Sequence, residues 1–192
     1  LTRIFVAVIA CGLILPAMAQ DDVANTLHNL SSTGVGNNFY VADTDEVCVF
    51  CHTPHAGNIS IGIALWNKGL TTSTYTMYTS TTMDMTVAAA PASVSMACLT
   101  CHDGTVAMDN MINAPGSGGY TPGGANLAYT WTAGTENLTG IANVGTDLSN
   151  DHPIGITYNE NTDTAFNTAA SVTAAGIPLF GAGLVECASC HN

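Results

Sequence analysis

The stretch "CVFCHTPH", residues 48–55, places two cysteines, two histidines and a proline within eight positions. Cysteines at i and i+3 lie on one side of a helical turn. Each sulfur can then bond one vinyl group of a porphyrin, and a histidine directly behind the pair can rise over the ring and ligate iron. The pattern occurs three times: Cys48-Val49-Phe50-Cys51-His52, Cys98-Leu99-Thr100-Cys101-His102 and Cys187-Ala188-Ser189-Cys190-His191. Beyond the first twenty residues, every cysteine belongs to such a pair. Three copies point to covalent attachment of three haem c groups. An all-cysteine zinc site consumes two CxxC pairs per ion and leaves one of three unmatched. Thioredoxin-like chemistry requires one CxxC behind a strand in a βαβ setting, which the pattern lacks.

The histidine count follows the same arithmetic. There are six: His28, His52, His55, His102, His152 and His191. His52, His102 and His191 are proximal ligands by position. His28, His55 and His152 remain, one for the far side of each iron. Iron with two axial histidines is closed to small ligands and suits electron transfer. His55 lies about one turn beyond His52. It cannot reach the far face of the haem that His52 holds, but it can reach a second haem nearby. The haem of Cys98 and Cys101 is its expected partner, and the spacing leaves that pairing open. In "SNDHPIGI", Pro153 biases His152 towards extended backbone, and Gly155 permits the tight turn that presents an imidazole from a loop. His28 lies in the short apolar-periodic stretch "VANTLHNL", positioned to ligate within the chain or to reach into another subunit.

The elements that carry these residues are expected to be short. Helices are predicted at about 23–30, 45–55, 93–102 and 184–191, with Asp43 or Thr44 as N-cap of the second. The Thr-, Tyr- and Met-rich residues 72–86 read as a solvated strand or a loop, and residues 113–126, "NAPGSGGYTPGGAN", as a Gly/Pro-rich loop. The motifs are unevenly spaced and form no strict repeat. The predicted fold is mostly irregular coil with short α-helices and little sheet, wrapped round a chain of stacked haems that supply much of the apolar core.

Composition narrows the function. The chain has 14 acidic residues against two basic ones, Arg3 and Lys68. It has no cationic surface with which to hold nucleic acid. Residues 1–19, an apolar run behind Arg3 ending in Ala17-Met18-Ala19, read as a secretory signal peptide cut before Gln20. An uncleaved anchor and lipidation at Cys11 are the weaker alternatives. Residues 20–192 then form one cytochrome domain, secreted and with no membrane span after cleavage.

"CVFCHTPH", "ALWNK", "CLTCHDG", "GTDLSNDHPIGI" and "LFGAGLVECASCH" together resemble the multihaem c-type cytochromes with doubled CxxCH motifs. Among these the likeness is to the OmcE-like extracellular cytochromes, which polymerise into haem-wired filaments. It spans roughly residues 23–191, and "CHTPH" with "NDHPIG" carries most of its specificity. The resemblance implies bis-His haems, a coil-dominated fold and electron delivery to redox proteins or extracellular acceptors such as metal oxides. It also implies a homopolymer in which a neighbouring subunit supplies one haem ligand, the role His28 would take here. Family members continue past the third motif with a further Pro-His and a fourth CxxCH. This chain stops at Asn192 and opens on Leu1. It therefore reads as a piece of a tetrahaem protein, with a fourth haem beyond the three. The expected activity is electron carriage without substrate chemistry, as a filament subunit or as a soluble periplasmic shuttle. An oxyanion reductase would need an open iron and cationic groups around it.

Overall fold

The computed structural model describes residues 22–34 and 36–191; the leader at 1–19 lies outside them. Most of the chain is turn and coil. Three short α-helices, α1 (Ser93–His102), α2 (Ala169–Ala174) and α3 (Cys187–Cys190), accompany four strands, β1 (Asn110–Asn113), β2 (Tyr120–Asn126), β3 (Ile156–Thr157) and β4 (Leu184–Val185). The strands form two separate antiparallel pairs, β1–β2 and β3–β4. Among the described residues no helix is long and apolar enough to cross a membrane.

α1 follows Pro91 and begins behind an extended Ala92. It buries Ser95, Ala97, Leu99 and Thr100. The Thr100 hydroxyl is satisfied by the Met96 carbonyl one turn back, at 2.8 Å. The helix stops at Gly104, whose φ of +70° reverses the chain. A β-carbon there would fall 2.2 Å from the Asn143 side chain, so only glycine fits. α1 therefore matches its predicted span.

The other helices come out shorter than the sequence suggests. Around His28 there is one 3₁₀ turn, Val23–Asn25, capped by Asp22. Residues 45–55 form no helix. Asp43 accepts from the Thr130 N–H instead of capping one, and only a single turn closes on Cys48. Near the C-terminal end α3 spans four residues. The stretch 113–126 is not wholly loop either, because Tyr120–Asn126 pairs with β1 across an irregular register. Its Pro and glycines sit at a sheet edge, where a missing donor is tolerated. Residues 72–86 run extended but join other segments only through isolated bridges, such as Thr76 to Asp147.

The core is divided. One cluster holds Leu30, Val41, Phe50, Met108, Met111, Trp131 and Leu138; a second holds Tyr75, Leu99, Leu148 and Ile154; a third holds Ile61, Trp66 and Ala97. Most domains have one contiguous core. Here motif cysteines border every cluster, with Cys51 and Cys101 on the first, Cys187 on the second and Cys51 again on the third; Cys51 joins the first to the third, and Met96 the second to the third.

Candidate functional site

Each CxxCH motif sits on one helical turn. In the first, the N–H groups of Cys51 and His52 donate to the Cys48 carbonyl at 3.1 and 2.8 Å. The second ends α1, and the third is α3 with His191 behind it. All six motif cysteines are free thiols.

Two proximal histidines are fixed through their inner nitrogens. His52 Nδ1 lies 3.0 Å from the Ala64 carbonyl and His102 Nδ1 lies 2.8 Å from the Ala142 carbonyl. A carbonyl can only accept, so the proton sits on Nδ1 and the Nε2 lone pair stays available. Metal-binding histidines are oriented by such outer hydrogen bonds. The "ALWNK" segment builds this support for the first motif. Asn67, fully buried, donates its backbone N–H to the Cys51 carbonyl at 2.8 Å and its side-chain amide to Val49 at 2.7 Å.

The remaining histidines do not distribute as the sequence suggests. His28 faces His102 with ring centres 6.1 Å apart. His152 faces His191 at 6.0 Å, with the rings 25° from parallel. Imidazoles on opposite sides of one metal, with metal–nitrogen bonds of about 2 Å, put their ring centres about 6 Å apart. His28 thus lies beside the second motif of its own chain, the position for which the sequence offered His55 as a candidate. Burial, and then the neighbouring His102, lowers the His28 pKa, which favours the neutral ring that a metal ligand must be. His55 is exposed, its carbonyl held by Thr53 and Asn113. Among the described residues neither it nor His52 faces another histidine.

Local structure explains both pairings. Behind His28, Asn29 is buried and bonds Ala24, Ser31 and Thr33, while Leu30 enters the first core cluster. His152 follows a turn capped by Asp147, between buried Leu148 and Ile154. Gly155, with φ of +68°, redirects the chain and donates to the Val185 carbonyl at 2.8 Å. β3 then pairs with β4, which runs directly into the third motif. That small sheet sets His152 opposite His191.

No protein-family model and no curated protein sequence matches this chain.

The motifs also meet one another. The Cys98 thiol hydrogen-bonds the Cys187 sulfur, and the Cys187 N–H donates to Ser95 Oγ at 3.0 Å. Ser95 in turn donates to Glu186. Cys51 and Cys101 share the first core cluster. α1 therefore lies between the first and third motifs. The bond from Cys98 chiefly lowers the Cys187 pKa, to about 6, and raises that of Cys98. In reduced apoprotein at neutral pH, alkylation mapped by mass spectrometry is expected at Cys187 well before Cys98. Its rate should fall as pH drops through about 6, where the thiolate is lost. Equal rates at the two cysteines would contradict this contact.

Several features suit a large apolar, acid-bearing group. Leu27 beside His28, Leu65 beside Ala64, and Ile141 and Val144 around Ala142 are all exposed. The indole N–H groups of Trp66 and Trp131 are buried donors with no acceptor among the described residues. Porphyrin propionates are acceptors of the kind they lack. Beside β3–β4, a hollow of about 410 Å³ is lined by Met83, Met85, Ile156, Tyr158, Phe166 and Val185. Among the described residues, no three of His, Cys, Asp or Glu group as a metal site built from side chains alone requires. The facing pairs offer two ligands each, which suits a metal whose other ligands come from a macrocycle. Asn67, Ser95 and Glu186 were not singled out from sequence; "ALWNK" was the only trace of the first.

Proposed function

We propose that the chain is a multihaem c-type cytochrome that carries electrons through closely placed haems. The two facing histidine pairs are the observation that carries this reading. Cys48 and Cys51, Cys98 and Cys101, and Cys187 and Cys190 would hold three haem c groups. His52, His102 and His191 would ligate from the attachment side, with His28 opposite His102 and His152 opposite His191. Haem iron supplies reversible one-electron oxidation and reduction. The chain's own residues fix the imidazoles, close the axial positions and hold neighbouring attachment sites in contact.

His52 and His55 support a homopolymer. His52 needs a second ligand and His55 needs an iron, so His55 of one copy can complete the site at His52 of the next. The subunit-crossing role then falls to His55 and not to His28. This favours a secreted, extracellular filament delivering electrons to redox proteins or metal oxides. A soluble periplasmic shuttle is the second reading, and would leave His52 with no histidine opposite. Reduction of oxyanions is disfavoured, because the one cationic side chain among the described residues, Lys68, is buried.

The test is expression in a host competent for c-type maturation. Intact mass and pyridine haemochrome spectra should show three haems on this chain, and electron microscopy should show filaments that His55→Ala abolishes. A soluble, folded chain without haem would overturn the reading.

A further inference from the structure

The two most consequential buried ionisable side chains sit at opposite ends of the motif array. Lys68 has 1% of its surface exposed. Its Nζ donates to the carbonyls of Met108 and Asn110, which are neutral acceptors. It directly follows Asn67, whose backbone is bonded to Cys51. Burial pushes the Cys51 thiol up to about 11, and the Lys68 ammonium is the largest charge acting on it in the opposite sense. Asp109, between the two carbonyls that Lys68 binds, is itself fully buried; it turns one carboxylate oxygen to the Tyr129 N–H and leaves the other without a partner among the described residues, yet it is Lys68 and not Asp109 whose charge acts on Cys51.

Glu186 is equally buried, at 1% exposure. One carboxyl oxygen accepts from Ser95 of α1, the side chain also accepts from the Ser189 N–H as the N-cap of α3, and the other oxygen is buried without a hydrogen-bond partner among the described residues. It directly precedes Cys187. The ionisable groups beside it are the Cys187 and Cys98 thiols, and Cys187 senses its charge. A side-chain cation at one end and a carboxylate at the other are each costly in a low-dielectric interior. Neither is explained by packing alone.

Resting on the cytochrome reading, we infer that these two side chains impose a potential gradient along the haem chain: Lys68 raises the potential at the first motif, and Glu186 lowers it at the third. A fixed positive charge disfavours the oxidised, more positive iron, and a negative charge favours it. Electrons entering at the third motif would run downhill through α1 to the first. The polymer built through His52 and His55 would then have a preferred internal direction in each subunit. At an effective dielectric of about 20, one such charge changes the ratio of reduced to oxidised haem on the order of tenfold at fixed potential.

The experiment is a spectroelectrochemical titration of the haem-loaded protein at mildly alkaline pH, chosen because burial raises the Glu186 pKa and higher pH favours its carboxylate. In the wild type, paramagnetic NMR of the haem methyl groups should find the haem of Cys48 and Cys51 reduced first and that of Cys187 and Cys190 last. Lys68→Met should lower the highest potential, with Lys68→Arg close to wild type. Glu186→Gln should raise the lowest. The wild-type order needs no variant to fold, so it tests the gradient even if a substitution destabilises the chain. Three loaded haems reduced in another order, or potentials unmoved in folded variants, overturn the gradient alone. Protein without haem absorbance overturns the cytochrome reading and the gradient with it.

Discussion

If the chain is the proposed cytochrome, His152→Ala is expected to convert the haem of the third motif from six-coordinate low-spin iron to an open site that binds carbon monoxide. The argument is geometric. His152 is the ring opposite His191, 6.0 Å away, and the β3–β4 pairing leaves no neighbouring histidine to replace it. Loss of one axial imidazole changes spin state and exposes a coordination position. His28→Ala should do the same for the second motif, because His28 faces His102. His55→Ala should leave the spectrum of the isolated chain unchanged, since His55 faces no histidine among the described residues. Visible and electron paramagnetic resonance spectra with added carbon monoxide check all three. If His152→Ala gains no high-spin, carbon-monoxide-binding iron beyond that of the wild type, His152 leaves the ligand set.

Replacing Cys98 and Cys101 together by alanine is expected to have the largest effect on electron flow. The protein should lose one of its three haems, and exchange between the outer two should collapse. The reason is the place of α1. Cys98 touches Cys187 of the third motif, and Cys101 shares a cluster with Cys51 of the first. The helix itself should survive, since Ala97, Leu99 and Thr100 are its buried contacts. Replacing Cys187 and Cys190 instead also removes one haem, but should leave exchange between the first two intact. Flash-induced electron injection, followed at wavelengths specific to each haem, separates the two cases. If both variants conduct alike, α1 does not lie between the others.

How far the sequence reaches is clearest at the histidines. CxxCH is local, so the three motifs can be read from spacing alone. α1 was legible for the same reason, lying between Pro91 and Gly104. The distal pairings are not local. His28 and His102 are brought together by Asn29 and Leu30, which pin an N-terminal turn to a core shared with residues from Val41 to Leu138. Proximity along the chain made His55 a candidate for that place, and tertiary packing puts His28 there. The β3–β4 pair was equally hidden, because two-residue strands carry no alternation that could be recognised. Lys68 is simply one of two basic residues in the sequence, and its burial shows only in the fold. Residues 113–126 were read as loop from their Pro and Gly content, yet an edge position lets that composition pair with β1.

A core split three ways also sets how a cell would handle the chain before maturation. Each cluster is small and borders a motif cysteine, which on the proposed reading would take a porphyrin. A chain lacking one haem would therefore open locally at that site while the rest stayed folded. Envelope proteases cleave segments that open in this way. Incompletely loaded subunits would be removed one defect at a time, so the finished population would be enriched in chains with no gap in the electron path.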